Sequence, residues 1–427
     1  MGWNDFEKII SLLKKELVPA LGCTEPIAVA LATSKAREVL KEEPDKIEVL
    51  VSRNILKNGM AVGIPGTGMT GLKIAAALGA IGGNSQAKLE VLKYINNQHI
   101  ERSKEIVKEN KVSIKLKDTN EKLYIEAICS TKDNISRVII KGNHSNIVEV
   151  RLNNDLLLKK DSKKAEVALD KNNTVDLNVK KIFKFANTEK IENIEFLLDG
   201  AKMNKAISKE GLKGNYGLMV GKKIAEKVKR GILSDDIMTY AMSVTAAASD
   251  ARMDGCMYPV MSNSGSGNQG LTVMLPVVAV AEKLNVDREK LIRALALSNL
   301  MTIYIKTYLG RLSALCGVVV ASIGSSCGIT YLLGGKYHNI VATIKNMIGD
   351  IAGMICDGAK PGCALKVSTG VSAAIKSALL AIDGIEISEY DGIIEKDVDK
   401  TIKKIGEIGS KGMHKTDKYI LDIMVNK

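Results

Sequence analysis

The chain has 427 residues, of which 46% are hydrophobic, 26% are charged and only 4% are aromatic. This length and apolar content exclude a disordered chain and predict a compact protein with more than one buried core. The formal net charge is +13, but the basic residues are dispersed and few aromatic residues lie among them. We therefore expect no nucleic-acid partner, and a surface that still attracts small anions.

The first 20 residues alternate between acidic and basic side chains and contain no uninterrupted apolar segment. This pattern argues against a secretory signal and predicts a cytoplasmic protein. In that compartment the seven cysteines are expected to be buried thiols or metal ligands rather than disulfides. Apolar residues recur at helical spacing over 4–16 and again over 25–40, where Pro26 occupies the first turn.

Cys23, in the stretch LGCTEP, lies in the link that enters the second predicted helix. Unpaired backbone N–H groups and the helix dipole at such a position favour a thiolate or a bound anion. A cysteine or threonine there can equally cap or pack the helix. The local sequence leaves both interpretations open.

A strand is predicted over 46–52, followed by a glycine-rich loop over 58–71 and a return to helical character. The N–H groups of such a loop can bind a carboxylate or a phosphate. The loop has no G-K-[ST] triplet of a Walker A motif. Its GTGMTG follows a segment broken by glycine and proline, which argues against dinucleotide binding. A structural turn is the alternative interpretation.

Residues 84–190 predict a separate α+β module. Two helical segments precede runs with strand character, and turn-prone pairs separate these runs. The expected structure is a small antiparallel sheet with helices on one face, with Cys129 packed in its core. The predicted strand-like runs are 112–118, 122–130, 136–142 and 145–152.

After residue 190 the sequence becomes helical, with helices predicted over 217–231, 234–250, 270–284 and 287–306. No charged residue occurs between Arg311 and Lys336, which is long enough to suggest a membrane span. Glycines, serines and cysteines interrupt this run, and a buried central helix pair explains it better. The fold class predicted is α+β, with a mainly helical core in 1–83 and 191–427 and the β-containing module inserted at 84–190.

The segment SNSGSGNQG, residues 262–270, consists entirely of small hydroxyl, amide and glycine residues. Such a segment is rich in hydrogen-bonding groups and suits the binding of a small carboxylate or ammonium group. Because its flanking sequences are apolar, we expect it inside the protein rather than on the surface. A solvent-exposed loop is the alternative.

Cys316, Cys327, Cys356 and Cys363 lie in the same half of the chain, without the CxxC spacing of a zinc ribbon or a bacterial ferredoxin. A metal site assembled from distant cysteines remains possible, and thiolates would suit an iron–sulfur cluster. The four histidines are scattered singly, and each is expected to be an ordinary surface residue.

Six motifs in order, from GCTEP through ASDARMDGCMYPVMSNSGSGNQG to GMHKTDKYIL, resemble the L-cysteine desulfidase family. That family is related to the alpha part of iron–sulfur L-serine dehydratases. The resemblance covers nearly the whole chain and is weakest in the predicted module. It implies a 4Fe-4S cluster that works without pyridoxal phosphate and converts L-cysteine into sulfide, ammonia and pyruvate.

The resemblance also implies roles for individual residues. The cluster ligands would be Cys23, Cys316 and Cys356, which leave one iron open, and Cys363 is the nearest counterpart of a further cysteine in the dehydratases. We expect the substrate carboxylate at two glycine-containing segments, through Pro65, Gly66, Thr67, Gly68, Ser262, Asn263, Ser264, Ser266, Asn268 and Gln269. The predicted bases are Glu25 and Lys360, with Lys366, Arg252 and Asp254 as further possibilities.

The expected partner is a small amino-acid substrate, with no membrane and with a second copy of the chain in a homodimer. Three other functions stay open on the sequence. An iron–sulfur L-serine dehydratase would use the same open iron on a hydroxyl group. A pyridoxal-phosphate lyase would give the same products, and a non-catalytic membrane or binding protein is the third alternative.

Overall fold

The computed structural model describes residues 3–160, 175–310 and 312–426. The described residues are mainly helical with one six-stranded sheet, which confirms the α+β class predicted from the sequence. Residues 161–174 of the predicted module and Arg311 lie outside the described residues. The N-terminal helices are α1 Trp3–Glu16, α2 Thr24–Leu40, α3 Arg53–Gly59, α4 Leu72–Gly82 and α5 Asn97–Lys108, with a 3-10 helix at Ser85–Glu90.

The C-terminal half contributes the larger group of helices. They are α6 Val179–Thr188, α7 Ile191–Ile194, α8 Leu197–Lys213, α9 Val220–Lys229, α10 Ile237–Met253, α11 Gly267–Leu284, α12 Arg288–Leu309, α13 Gly317–Leu332, α14 Tyr337–Asp350, α15 Cys363–Ile382, α16 Val398–Glu407 and α17 His414–Val425, with a π-helix at Ile408–Gly412. The strands are β1 Pro19–Ala20, β2 Lys46–Val51, β3 Val112–Leu116, β4 Tyr124–Ser130, β5 Ile135–Lys141, β6 Ile147–Leu152, β7 Asp155–Lys159 and β8 Val260–Met261.

The six-stranded sheet has the order β3-β2-β4-β5-β6-β7. Its neighbouring strands are antiparallel except β2 and β3, which pair in parallel. The parallel pair differs from the antiparallel sheet expected from the sequence. The strands β2 and β3 can pair in parallel because a long connection through α3, α4 and α5 joins them. Parallel neighbours require such a crossover rather than a tight turn. Helices α2 and α4 pack against the strands.

Strand β2 comes from the segment before residue 84 and lies inside the sheet, between β3 and β4. The hydrophobic core that contains the sheet accordingly extends from Ala20 to Val150 and includes Leu312. A second core holds the C-terminal helices together with residues of α1. The predicted domain boundaries at 83/84 and 190/191 stay a prediction. In the described residues β2 is a strand of the sheet, and α2 and α4 pack against it.

Helix α13 is the buried centre of the helical half. It packs against α11, α12 and α15, and its residues 318–330 are all buried. The uncharged run therefore contains a single helix rather than the expected pair, because residues 312–316 are not helical. Gly324 allows close packing with α12, since a Cβ at this position would lie 2.0 Å from Thr302 Oγ1.

Among the described residues, α15 alone is long and apolar enough to cross a membrane by length and composition. In the structure 56% of that apolar stretch is buried, and α15 packs against α10, α13 and α14. These contacts are those of a core helix in a helical domain.

A short ribbon of β1 and β8 joins the two halves of the chain. Ser262, directly after β8, donates from both its backbone N–H (3.0 Å) and its hydroxyl (2.6 Å) to the Val18 carbonyl. The ribbon thus fixes the segment before Cys23 against the polar loop 262–270. This contact brings the N-terminal cysteine to the helical half.

Candidate functional site

A cleft with a cavity volume of about 90 Å³ lies between the two halves of the chain. Four helices begin at its wall, namely α2, α11, α13 and α15. The lining residues are Cys23, Thr24, Glu25, Asn58, Arg252, Ser266, Asn268, Cys316, Gly317, Val318, Cys356, Gly358, Ala359 and Cys363. Four of the seven cysteines of the chain therefore face one cavity.

Several helices point their N-termini toward the cleft. Cys23 and Cys316 are the N-cap residues of α2 and α13, and neither side chain makes a capping hydrogen bond. Ser266 is the N-cap of α11 and accepts from the Gln269 N–H. Unpaired N–H groups and the aligned peptide dipoles at helix N-termini stabilise negative charge. Thiolates or a carboxylate are thus the natural occupants of this cavity.

Cys316 and Cys356 are held side by side by the backbone. The Cys316 N–H donates to the Met354 carbonyl (2.8 Å), and the Cys356 N–H donates to the Ala314 carbonyl (2.7 Å). These bonds flank an antiparallel bridge between Leu315 and the neighbouring segment. The two thiols are consequently neighbours although they lie 40 positions apart in the sequence (356 − 316).

The thiol of Cys356 is prepared for ionisation. A hydrogen bond from Cys316 lowers the pKa of Cys356 to about 6, against the effect of burial, with help from the charges of Lys57 and Lys366. Lys57 is 1% exposed, and its Nζ donates to the Cys356 carbonyl (3.1 Å) and forms an ion pair with Asp417 of α17. Helix α17 therefore supports the segment around Cys356 through this partly buried ion pair.

Cys23 lies in the opposite electrostatic environment. Its thiol donates to Glu25 Oε2 (3.1 Å), which also accepts from the Thr24 hydroxyl (3.1 Å). Burial and the negative charge of Glu25 raise the pKa of Cys23 well above its ordinary value, whereas the charge of Arg252 acts in the opposite direction.

Glu25 is a buried carboxylate that receives several interactions. Although burial acts to raise its pKa, His144 and hydrogen bonds from the Cys23 thiol and the Asn58 amide hold the pKa of Glu25 well below its usual range. The Asn58 amide donates to Oε1 at 2.9 Å. The carboxylate is therefore ionised at neutral pH and faces the cleft.

His144 is a functional candidate that the sequence reasoning missed, since it was expected at the surface. It lies in the turn between β5 and β6, is 3% exposed, and its Nε2 is 3.8 Å from Glu25 Oε1. Neither ring nitrogen has a hydrogen-bond partner among the residues that the structure describes. A turn sequence between two strands gives no sign that its histidine is buried against another element, so no local signal could have identified it.

The polar loop 262–270 is inside the protein, as predicted from its apolar flanks. Ser266 and Asn268 line the cleft. Asn263 and Gln269 lie behind them, with the Asn263 amide donating to Asn299 Oδ1 (3.0 Å) and the Gln269 amide donating to Asn263 Oδ1 (3.1 Å). Ser262 and Ser264 are likewise buried in the hydrogen-bonded base of the loop rather than in the cleft wall.

The structure does not bring the glycine-rich segment 65–68 into the cleft. Pro65 packs against Gly22, where a Cβ would lie 2.7 Å from the proline Cγ. The Gly66 N–H donates to the Gly255 carbonyl (3.1 Å), and the Thr67 hydroxyl donates to the Ile64 carbonyl (2.9 Å). Residues Pro65, Gly66, Thr67 and Gly68 thus form a turn that supports the residues around Cys23 and α10, and no lining residue of the cleft belongs to it.

Two of the predicted bases lie beside the cleft rather than in its wall. Lys360 and Lys366 both form ion pairs with Asp357. Although burial acts to lower it, the hydrogen bond and charge of Asp357 raise the pKa of Lys366. Asp254 is exposed. Arg252, by contrast, lines the cleft.

The donor set fits an iron–sulfur cluster. Cys363, whose thiol donates to the Gly358 carbonyl (3.8 Å), joins the three predicted ligands in the cleft, and no histidine lines it within the described ranges. A thiolate-only set is typical of iron–sulfur ligation. In the described residues no group of three or more His, Cys, Asp or Glu side chains is close enough to hold a single metal ion. A cluster spreads its ligands around several irons, so it requires wider spacing than a single ion does.

Comparisons with known proteins identify the family. The chain is 50% identical over 425 residues to a UPF0597 protein of Bacteroides thetaiotaomicron, covering 99% of both chains. It is 51% identical over 423 residues to one of Phocaeicola vulgatus (99% of this chain and 98% of that one), and 46% identical over 426 residues to one of Oleidesulfovibrio alaskensis (99% of both). The family model of the serine dehydratase alpha chain matches residues 86–422. The chain belongs to the serine dehydratase alpha chain family, which indicates a lyase-type enzyme.

Proposed function

We propose that this protein is an L-cysteine desulfidase that uses a 4Fe-4S cluster and no pyridoxal phosphate. One observation carries the proposal: Cys23, Cys316 and Cys356, far apart in the sequence, line one cleft at the N-termini of helices. The reaction is a β-elimination, which agrees with the lyase-type family. Its products are sulfide, ammonia and pyruvate.

Cys23, Cys316 and Cys356 would hold the cluster. Three protein ligands would leave one iron of the cluster without a protein ligand. A bound cluster would supply a Lewis acid at that iron, which would make the substrate sulfur a better leaving group. Ligation requires ionised thiols, and the helix N-termini act in that direction. At Cys23 and Cys316 burial acts against it and their pKa values are raised, so these two thiols would lose their protons when the cluster binds. The backbone N–H groups of Glu25 in α2 and Val318 in α13 donate to the sulfurs of Cys23 and Cys316, respectively.

Glu25 is the proposed acceptor of the Cα proton. It is ionised, faces the cleft and is held by the Asn58 amide. Lys360 is the weaker candidate, because its ammonium group forms an ion pair with Asp357 and lies outside the cleft wall. We assign no proton transfer to it.

The substrate carboxylate requires strong hydrogen bonding, because negative charge spreads onto it when the Cα proton leaves. Ser266 and Asn268 line the cleft at the start of α11, where the helix dipole adds a favourable field. Elimination then releases hydrogen sulfide and 2-aminoacrylate. The latter tautomerises to an imine, which water converts to pyruvate and ammonia.

An iron–sulfur L-serine dehydratase is the second candidate, favoured by the family match over residues 86–422. The same site would then eliminate a hydroxyl group as water. A pyridoxal-phosphate lyase has less support, because no lysine lines the cleft in the part of the chain that the structure describes. A cytoplasmic location and a homodimer also stay proposals.

The test is anaerobic purification followed by iron and acid-labile sulfide analysis, with sulfide and pyruvate release measured from L-cysteine and from L-serine. We expect about four irons and four sulfides per chain, and faster release from L-cysteine. The Cys23→Ala variant should lose both cluster and activity. Cys327→Ala is the matched control, since this thiol is equally buried but lies in α13 away from the cleft.

Each outcome separates the alternatives. Turnover of L-serine but not of L-cysteine would favour the dehydratase. An iron-free parent that still releases sulfide would refute the cluster, and equal iron loss in Cys23→Ala and Cys327→Ala would refute the ligand assignment.

A further inference from the structure

Arg252, at the C-terminal end of α10, is a buried cation in the wall of the cleft. Its side chain is 3% exposed. Nη1 donates to Asn268 Oδ1 at 3.0 Å, and Nε has no hydrogen-bond partner among the described residues. Within the same residues no carboxylate lies at ion-pair distance from the guanidinium, although five of the eight other arginines that the structure describes have such a partner.

A buried guanidinium without an anion is costly. The group carries five N–H donors, and removing a charge from water without a counter-charge is strongly unfavourable. The fold nevertheless makes room for it: a Cβ on Gly267 would lie 2.2 Å from Arg252 Nε. Glycine at the first position of α11 therefore lets the guanidinium lie against the start of that helix. The incomplete hydrogen bonding and the position in the cavity wall both indicate an anionic ligand.

We propose that Arg252, oriented by Asn268, binds the carboxylate of the substrate, an inference that rests on the proposed function and names its substrate class. A guanidinium matches a carboxylate with two parallel N–H···O bonds. The start of α11, which holds Gly267 and Asn268, adds the positive end of a helix dipole. The ligands of this site are therefore small thiol or hydroxy acids with a free carboxylate.

This assignment gives the three reactive parts of an amino acid separate places. The carboxylate lies at Arg252, the sulfur lies among the thiols, and the Cα proton is left to Glu25, the other charged side chain in the cleft wall that is not a thiol. A thiol without a carboxylate would lack one of these attachments. Arg252 is thus a binding residue that selects carboxylate-bearing thiols.

Two small thiols that differ in their charged group test this. 3-Mercaptopropionate carries a carboxylate and no amine, and cysteamine carries an amine and no carboxylate. Binding of each is measured by calorimetry on the anaerobically purified parent, Arg252→Gln, Arg252→Lys and Arg293→Gln. Arg293 is the matched control, a largely buried arginine that binds the carbonyls of Ala186 and Glu189 outside the cleft.

We expect Arg252→Gln to weaken 3-mercaptopropionate binding about 10- to 100-fold, the usual effect of losing a hydrogen bond to a charged group. Cysteamine affinity should stay within about 3-fold of the parent. Arg252→Lys, which keeps the charge but not the two-pronged geometry, should recover part of the carboxylate affinity. Arg293→Gln should change neither ligand.

A parent that binds 3-mercaptopropionate no more tightly than Arg252→Gln would overturn the inference, as would equal losses for the two thiols. If Arg252→Gln does not fold, Arg252→Lys decides on the same criterion. Sulfide release by the parent is a separate readout. A parent without desulfidase activity but with carboxylate binding that depends on Arg252 would refute the proposed function and retain this site.

Discussion

On the N-terminal wall of the cleft the Cys23 thiol donates to a carboxylate, whereas on the C-terminal wall Cys356 lies near the cationic side chains of Lys57 and Lys366. The consequence is opposite for the two thiols. Burial and Glu25 raise the pKa of Cys23, while Cys316 and the two lysines lower that of Cys356 to about 6. Cys23 is the N-cap of α2, whereas Cys356 lies seven residues before the start of α15. A backbone hydrogen bond from Gly358 also helps to lower the pKa of Cys356, so both the backbone and the neighbouring side chains contribute to the difference.

The two walls of the cleft therefore differ in the protonation state of their thiols. A metal ligand must be deprotonated, so Cys356 is ready to ligate at neutral pH and Cys23 must release a proton when it does so. The carboxylate that makes Cys23 reluctant to ionise is also the proposed base. On the C-terminal wall the negative charge lies on Cys356 alone, because the hydrogen bond to Cys356 and burial raise the pKa of Cys316 well above its ordinary value. On the N-terminal wall the proton stays on Cys23 and the negative charge lies on Glu25.

The largest effect is expected from removing the charge of Glu25. Glu25→Gln keeps the size of the side chain but cannot accept the Cα proton, so kcat should fall about 10²- to 10⁴-fold with iron content unchanged. Glu189→Gln is the control, because Glu189 is also buried but binds Asn193 outside the cleft. Full activity of Glu25→Gln would move the base elsewhere and leave Glu25 as a neighbour of Cys23 only.

Lys57→Gln tests the cationic wall. Because a nearby cation favours a thiolate, its removal should raise the pKa of Cys356 by about one unit. In metal-free protein, the pH of half-maximal alkylation of Cys356 should move upward from about 6. Lys345→Gln serves for comparison, since Lys345 is a buried lysine paired with Glu386 instead. An unchanged midpoint would mean that the charge of Lys57 does not influence Cys356 and that Cys316, Gly358 and Lys366 set its ionisation.

Much of the fold was readable from local pattern. The predicted helices 4–16 and 25–40 correspond to Trp3–Glu16 and Thr24–Leu40, and the polar loop is buried as its flanks required. These features depend on periodicity and composition within one short segment, which the sequence displays directly. The sequence left Cys23 either as a helix cap or as a thiolate at a binding site. In the structure Cys23 is the N-cap of α2 and also lines the cleft.

Long-range pairing was not readable in the same way. Nothing in Lys46–Val51 indicates that it lies between β3 and β4, and nothing around His144 indicates that its turn reaches Glu25. Such contacts depend on how distant segments pack, and local periodicity carries no information about them. For the cysteines, spacing excluded a local metal motif, and only the family resemblance implied that Cys23, Cys316 and Cys356 act together. The fold brings these three and Cys363 to one cavity.

His144→Gln should have a smaller effect than Glu25→Gln, about 10-fold on kcat/KM, because His144 acts through Glu25 rather than on the substrate. His144 helps to lower the pKa of Glu25, so its loss should raise that pKa and move the acidic limb of the kcat/KM profile to higher pH. His338→Gln is a control at an exposed position. A lower kcat/KM with an unshifted acidic limb would indicate a packing role alone.

The smallest effect is expected at Asp250, a second buried acid whose environment contrasts with that of Glu25. Burial raises the pKa of Asp250 to about 6 despite hydrogen bonds from backbone N–H groups such as that of Gly221, whose N lies 3.0 Å from Oδ2. The folded protein therefore binds this proton more tightly than the unfolded chain does. Between about pH 4 and pH 6, stability should fall as pH rises, and the loss should be complete above that range.

Asp250→Asn keeps an oxygen that can accept from Gly221 and removes the buried charge. At pH 7.5 we expect a gain of about 1 kcal/mol in the free energy of unfolding, after allowance for solvent screening, and little change at pH 4. Urea unfolding at the two pH values measures both quantities. A loss of stability at pH 7.5 would show that the charge of Asp250 is stabilised by the start of α9. Asp250 would then resemble Glu25, whose donors outweigh the cost of burial.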